Sequence, residues 1–141
     1  MTLKIQIVVD CKNPHELADW WADALGWQVE AQDAAFIRRM IDAGYATDDE
    51  TTTHNGALVW KTGAAINSPD PNRPRLLFQQ VPEGKTVKNR MHLDLRVGAE
   101  RREAEVARLV AAGATELHRA SQGPHEWATL ADPEGNEFCV S

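Results

Sequence analysis

Two short segments in the second half of the chain carry side chains whose types and spacing could do chemistry. His92 and Asp94 alternate with apolar residues in the first, and Glu137 and Cys139 flank a phenylalanine in the second. Alternate residues of a β-strand share one face, so each pair is predicted on a common face. Imidazole, carboxylate and thiolate groups bind divalent metals or move protons, which makes His92, Asp94 and Glu137 the candidate catalytic residues.

Each of these side chains also has a structural interpretation. His92 could hydrogen-bond to Gln6 as a cavity histidine, and Asp94 could orient the imidazole, act as a base or remain solvated. Cys139 could act as a nucleophile only beside a group that stabilises its thiolate, so we expect a buried thiol. We expect the other four histidines to lie on the surface, because none is spaced for metal binding on a helix.

One order of elements occurs twice and would position these residues. A strand at residues 3–11 leads to a helix ending at Gly26, and a strand at residues 90–97 leads to a helix ending at Gly113. The two glycines are 87 positions apart, and Gln6 and His92 are 86 positions apart. This agreement predicts an α+β fold of two tandem βαβββ modules.

The module boundaries follow from the lengths of the two halves. Residues 1–81 form the first module, residues 82–89 a linker and residues 90–141 the second, together one domain. The first half is longer, which predicts an insertion at about residues 33–56, with a helix at 33–44 and a polar, mobile loop at 47–55. The remaining strands are expected at these positions: 27–30, 57–62 and 75–81 in the first module, and 115–118, 126–131 and 136–140 in the second.

Composition restricts the partners. A chain of 141 residues can bury one good core, and its net charge of −6 argues against nucleic acid or an anionic membrane as partner. The N-terminal segment lacks the apolar core of a signal peptide, and no run approaches a transmembrane length, so we expect a cytoplasmic protein. Two cysteines cannot build a disulfide framework. A small molecule is therefore the expected partner.

Several motifs together resemble the glyoxalase-like branch of the vicinal oxygen chelate superfamily, which also holds bleomycin resistance proteins and extradiol dioxygenases. They are Asn13-Pro14, Trp20-Trp21, Leu25-Gly26-Trp27, QQVPEGK at residues 79–85, KNRMHLDL at 88–95 and DPEGNEFC at 132–139. The resemblance implies two modules whose sheets form an open curved-sheet cleft. It also implies a homodimer.

In metal-using members of that superfamily, each module supplies one ligand from its first strand and one from its last. Those positions here are Gln6, Gln79 or Gln80, His92 and Cys139, with Glu137 on the same face as Cys139. Neutral amides are weak ligands for a divalent cation, so the resemblance implies a degenerate site with no bound metal. The alternative is a three-ligand site of His92, Glu137 and Cys139 for Zn, Fe, Mn or Ni.

Other residues fit a ligand-binding cavity. Trp60 and Trp127, expected in central strands, could stack a planar ligand or pack in the core, while Gln6, Gln79 and Cys139 would line the same cavity. Lys85, Lys88 and Arg90 could hold a carboxylate or phosphate, or could form a solvated connector.

Two functions of different class follow. The first is a small-molecule-binding protein with a degenerate metal site, similar to resistance proteins that sequester drugs. The alternative is a metal-dependent lyase, isomerase or dioxygenase acting on a small oxygenated substrate. A third interpretation, an interaction protein with a vestigial cleft, would be supported if no small molecule stabilised the fold.

Overall fold

Alternating apolar residues and glycine-ended helices give both halves of the chain the same order of elements. The computed structural model describes residues 1–141, which divide into two compact units, residues 1–84 and residues 85–141. No helix is both long and apolar enough to cross a bilayer. Cys11 and Cys139 are both buried, as expected, and neither forms a disulfide.

The first unit is a four-stranded sheet covered by one helix, with additional elements inserted. Its elements are β1 (Ile7–Cys11), α1 (Pro14–Leu25), β2 (Gln28–Val29), α2 (Ala34–Asp42), β3 (Thr51–His54), β4 (Ala57–Trp60), β5 (Gly63–Asn67) and β6 (Leu76–Gln80), with a 3-10 turn at Asp48–Glu50. The sheet order is β1-β6-β5-β2, and β1 runs parallel to β6. α1 packs on β5 and β6 through Leu17 and Trp21, which are 2% and 4% exposed.

The second unit repeats this plan without the insertion. Its elements are β7 (Leu93–Leu95), α3 (Ala99–Ala111), β8 (Thr115–Gln122), β9 (His125–Ala131) and β10 (Glu137–Val140), in the sheet order β7-β10-β9-β8. Again the first strand runs parallel to the last. The predicted α+β class with tandem βαβββ modules is confirmed.

Both helix-ending glycines have positive φ. Gly26 has φ 68° and its N–H caps α1, while Gly113 has φ 118° just beyond α3. Positive φ is accessible to glycine because it has no Cβ. The Asn13 side chain does not cap α1, although the Asn13 carbonyl accepts the first helical hydrogen bond, from Leu17.

The first strand is shorter than predicted. It begins at Ile7 rather than residue 3, and Leu3 and Ile5 are 80% and 73% exposed. Its partner β6 begins only after the turn at residues 71–74, so residues before Ile7 have no strand to pair with. The alternation of residues 3–11 therefore predicts which side chains share a face, but it does not predict the residue at which β1 begins to pair with β6.

The predicted loop at residues 47–55 is wrong, because it contains β3, which forms a hairpin with β4. Asn55 and Gly56 make the turn with φ values of 50° and 80°. An Asn-Gly pair favours this turn because both residues tolerate positive φ. The third strand of the module is accordingly β5, not residues 57–62, and the insertion extends to Trp60.

Two histidines fasten the inserted hairpin to α1. The His54 imidazole lies 2.7 Å from the Asp19 carboxylate, and His15 Nε2 donates to the Trp60 carbonyl at 2.7 Å. The two imidazole rings lie 5.1 Å apart. Both histidines are half-buried rather than fully exposed, and their interactions with α1 and the hairpin were not foreseen.

The turn between β9 and β10 is organised by a buried carboxylate. Asp132 is 3% exposed, and its Oδ1 accepts hydrogen bonds from the backbone N–H groups of Glu134 and Asn136 at 2.9 Å. The Asn136 side-chain amide also donates to both carboxylate oxygens. Gly135 completes the turn at φ 89°.

We expect Asp132→Ala to lower the free energy of unfolding by about 3 kcal/mol, because it leaves several part-buried donors without an acceptor. Asp70→Ala is the matched control, since Asp70 also precedes a proline in a turn but is exposed, and it should cost less than about 1 kcal/mol. Urea unfolding followed by tryptophan fluorescence measures both. Equal losses would contradict the role given to Asp132.

Candidate functional site

A row of polar side chains crosses one face of the sheet in the second unit. Strand pairing places Asp94 of β7 beside Cys139 of β10, Cys139 beside Thr129 of β9, and Thr129 beside His118 of β8. Because side chains at paired positions lie on the same face, these four residues form one line across the strands. His92, two residues before Asp94, lies on that face as well.

The opposite face of the sheet forms the core of the unit. Phe138, Val140 and Leu130 are at most 1% exposed, and α3 packs on β8, β9 and β10 through the buried Val106 and Leu109. Alternation along the middle of β9 and along β10 thus assigns Ala128, Leu130, Phe138 and Val140 to the core face and Trp127, Thr129, Glu137 and Cys139 to the other face. The position of the candidate site follows from this division.

A cavity of about 400 Å³ opens on the polar face. This volume lies within the range of roughly 300–1,000 Å³ usual for small-molecule sites. It is lined entirely by residues of the second unit, namely Lys88, His92, Asp94, His118, Gln122, His125, Trp127, Thr129, Glu137, Cys139 and Ser141.

His92, Asp94 and Cys139 bring three potential metal ligands together. One ligand atom from each lies within 4.8 Å of the other two, and His92 Nε2 is 3.3 Å from Asp94 Oδ1. Cys139 is 9% exposed, and its Sγ lies 3.5 Å from the Thr129 hydroxyl. An imidazole, a carboxylate and a thiol converge at one point of the cavity wall.

Glu137, expected as a ligand or catalytic residue, is engaged in a different contact. Its Oε1 accepts a hydrogen bond from Lys85 Nζ at 2.8 Å, and its Oε2 accepts one from the Asn89 backbone N–H at 3.0 Å. The Asn89 side chain also donates to the Asn136 side-chain oxygen at 2.9 Å. These contacts fix residues 85–89 against the start of β10.

The surroundings of Glu137 hold it ionised. Desolvation by burial opposes the charge, but hydrogen bonds from Lys85 and from the backbone outweigh that effect and lower the pKa of Glu137 to about 2. A carboxylate paired in this way is a poor proton donor near neutral pH. Its geometry suits the positioning of residues 85–89.

An aromatic pair lines another part of the cavity. The ring centroids of His125 and Trp127, which lie two residues apart on one face of β9, are 5.5 Å apart with planes tilted by 33°. Trp127 is half-buried, so part of its ring remains available for contact. Such a surface can stack against a flat or apolar ligand.

The remaining predicted cavity residues belong to the first unit. Gln6 is exposed, and its side-chain oxygen accepts a hydrogen bond from Arg75 at 2.7 Å. Arg75 also donates two bonds to Glu30, and these bonds, followed by one from Asn67, lower the pKa of Glu30 to about 2. The Gln6 amide oxygen is therefore part of a local network around Arg75.

Trp60 lies in the inserted hairpin and not in a central strand of the four-stranded sheet, because β5 occupies that place. It is half-buried, and its backbone N–H donates to Gln32 Oε1 at 2.8 Å. Trp60 and Trp127 are thus not equivalent positions of the two modules.

Strand pairing also changes the internal alignment of the modules. Cys139 follows Asp132 by seven residues and Leu77 follows Asp70 by seven, and both Asp residues precede a proline. Leu77 pairs with Val8 of β1 and Ala65 of β5, just as Cys139 pairs with Asp94 and Thr129. Leu77 rather than Gln79 therefore occupies the position that corresponds to Cys139. Gln79 lies in the next row, beside Asp10 and Gly63.

Five cavity residues were not identified as such from sequence, although His118 and His125 are exposed as expected. The five are His118, Gln122, His125, Thr129 and Ser141. His125 and Thr129 flank Trp127 at intervals of two, and His118 and Gln122 share the alternation of β8. Period two, applied outward from Trp127 and Cys139, was the signal that could have found them.

We expect the acid stability of the protein to depend on Glu137. Its pKa is lower in the folded state, so its stabilising contribution is complete above the unfolded pKa of about 4.5 and is lost as pH falls toward about 2. Glu137→Gln should be less stable than the wild type at pH 7 and should lose less stability over that acid range. Urea midpoints measured between these pH values test this.

Glu100→Gln is the control, since Glu100 is an exposed carboxylate outside any ion pair. Its acid profile should follow that of the wild type. A Glu137→Gln profile parallel to the wild type would contradict the ion pair.

Comparison with known proteins agrees with this architecture. The profile of the Glyoxalase-like domain matches residues 6–141. A search of curated proteins gave no significant match. The solved structures described below share at most 16% sequence identity with this chain, so they support the fold alone.

A glyoxalase/bleomycin resistance protein/dioxygenase family enzyme from Burkholderia phytofirmans PsJN has a TM-score of 0.61 at 15% identity, over 96% of this chain and 94% of that one. Protein ATC0852 from Agrobacterium tumefaciens has a TM-score of 0.64 at 16% identity, covering 99% and 96%. A mutant of the fosfomycin resistance protein FosX from Listeria monocytogenes, complexed with Mn(II) and 1S,2S-dihydroxypropylphosphonic acid, has a TM-score of 0.64 at 8% identity, covering 99% and 90%. On the match over residues 6–141, the chain belongs to the glyoxalase-like domain family.

Proposed function

We propose that this protein binds a small molecule on the polar face of the second sheet, with Trp127 and His125 as its flat wall. The observation that carries the proposal is the cavity of about 400 Å³ lined by side chains from all four strands. Family membership supports a small-molecule ligand, because relatives with this fold include proteins described as resistance proteins and as glyoxalase or dioxygenase family enzymes.

The side chains around the cavity supply complementary contacts. Thr129, Gln122 and His118 offer hydrogen bonds along one side, and the His125–Trp127 pair offers an apolar surface. A few polar groups arranged around one aromatic wall are typical of small-molecule sites, where the wall contributes affinity and the polar groups fix orientation. In this proposal Gln6 and Gln79 are not required for binding.

A second candidate function, a metal-dependent lyase, isomerase or dioxygenase, is favoured by the convergence of His92, Asp94 and Cys139. The donor set fits a borderline divalent ion such as zinc, because nitrogen, oxygen and thiolate ligands are all suitable. The corresponding positions in the first unit do not add to it, since Leu77 has no donor atom and the Gln6 oxygen already accepts from Arg75. We therefore assign the metal ligands as His92, Asp94 and Cys139, with Asp94 in place of Glu137.

A metal held there would supply Lewis-acid polarisation of a substrate oxygen. The residues themselves would divide the other tasks. Without a bound ion, His92 can take or return a proton, and Asp94 orients its imidazole through the 3.3 Å contact. With an ion bound, both side chains would be ligands, and Trp127 would exclude water from one side of the substrate. Glu137 does not move protons in this scheme, because it is held ionised by Lys85.

We also propose a cytoplasmic homodimer. Two buried thiols outside any disulfide are compatible with a reducing compartment, and the family resemblance underlies the dimer. Light scattering on the purified protein measures the oligomeric state, and a monomeric mass at micromolar concentration would contradict this part of the proposal.

Trp127→Ala should abolish stabilisation by planar ligands while leaving the fold intact, because it removes the exposed aromatic surface of the cavity. A thermal-shift screen of planar aromatic compounds against both proteins provides the measurement. Trp60→Ala is the matched control, since Trp60 is the half-buried tryptophan of the inserted hairpin, and it should keep the ligand response. If no compound stabilises the wild-type protein, the binding function is wrong.

Elemental analysis tests the second candidate. We expect substoichiometric divalent metal in protein purified without chelator, in line with an incomplete two-module ligand set. A stoichiometric ion that is lost in His92→Ala and retained in His118→Ala would instead favour the enzyme. The second variant is a matched control because His118 lines the same cavity outside the three-residue cluster.

A further inference from the structure

We infer that the ligand of this cavity is a planar aromatic ring that carries an oxyanion, such as an aromatic carboxylate or phosphonate, and that Lys88 recognises its anionic group. The inference deepens the proposed binding function and rests on it. It is based on the distribution of charge around the cavity and above all on the position of Lys88.

Lys88 is the lysine that lines the cavity, and no carboxylate lies within ion-pair distance of it. Its ammonium group makes a long hydrogen bond of 3.4 Å to the carbonyl of the neighbouring Asn89. A lysine ammonium has three donors, so this single long contact leaves most of its capacity for a ligand.

The carboxylate that could neutralise Lys88 is committed elsewhere. Glu137 lines the same cavity, but its two oxygens accept from Lys85 and from the Asn89 backbone, on either side of Lys88 in the chain. These two hydrogen bonds also fix residues 85–89, which include Lys88, against the start of β10. The side chains of Lys85 and Glu137 are only 22% and 13% exposed, so this pair is partly shielded from solvent.

The other polar groups of the wall are mainly hydrogen-bond donors toward an oxyanion. Each of His92, His118 and His125 can present a ring N–H, and Thr129 and Ser141 can present hydroxyls. Asp94 is the opposing charge, but it lies on edge strand β7 and is paired with His92 at 3.3 Å. The wall therefore favours an anionic head group over a cationic one.

The flat part of the ligand follows from the aromatic pair. His125 and Trp127 lie on β9, whereas Lys88 belongs to the segment fixed against β10, so the aromatic and cationic contacts come from different elements around one cavity. A ligand with an aromatic ring and an attached oxyanion satisfies both. A small inorganic anion satisfies only the second.

Matched ligands that differ only in charge test the inference. We choose 2-naphthoate and its uncharged amide, 2-naphthamide, with inorganic phosphate as the isolated head group, and measure affinity by titration calorimetry. Naphthoate should bind at least about tenfold more tightly than the amide, the effect of one charge-assisted hydrogen bond. Phosphate alone should bind more weakly than naphthoate.

Lys88→Gln should reduce the preference for naphthoate to less than about threefold and leave amide affinity unchanged. Lys61→Gln, a substitution of an exposed lysine in the first unit, should keep the full preference. Raising the salt concentration should weaken naphthoate binding to the wild type and not amide binding, because the charged contact is solvent-accessible.

The outcomes separate the two proposals. If the acid and the amide bind equally, or if the preference persists in Lys88→Gln, planar binding stands and the inference about the anion is wrong. If neither compound binds, the proposed binding function fails and the inference fails with it. Lys88 is exposed, so its substitution should leave the urea midpoint unchanged, which confirms that the variant is folded.

Discussion

The candidate site depends on the two-sided character of the sheet formed by β7, β10, β9 and β8. Because alternate side chains point to opposite faces, burying Phe138 and Val140 against α3 places Glu137 and Cys139 on the other face. A shift of one residue in the pairing would move Glu137 and Cys139 into the core and expose Phe138 and Val140 to solvent. The hydrophobic packing of α3 thus fixes where chemistry can occur.

The two modules and the faces of their strands could be predicted from sequence, because these features depend on local patterns. Alternation and glycines at helix ends identified both modules, and period two placed His92 with Asp94 and Glu137 with Cys139. The inserted hairpin was missed although Asn55-Gly56 is a hairpin signal, because its first strand is rich in threonine and flanked by acidic residues. That strand is held by cross-strand partners such as Leu58 and Val59, which local polarity does not reveal.

Register and long-range pairing could not be predicted in the same way. Alternation places Leu77 and Gln79 on one face equally well, and only the distance from the Asp70 turn together with the strand pairing shows which one corresponds to Cys139. Likewise, nothing near Glu137 in the sequence indicates that its partner is Lys85, 52 residues earlier. The role of Glu137 in fixing residues 85–89 can therefore be recognised only from the tertiary contacts.

The two modules share one backbone plan but present different rows of side chains. The central row of the first unit is Val8, Leu77 and Ala65, and the corresponding row of the second is Asp94, Cys139 and Thr129. Hydrocarbon side chains can neither ligate a metal nor transfer a proton. Of the two corresponding rows, only the row of the second unit therefore carries reactive groups. In a fold that supports many chemistries, the side chains of such a row, rather than the architecture, decide what a given member can do.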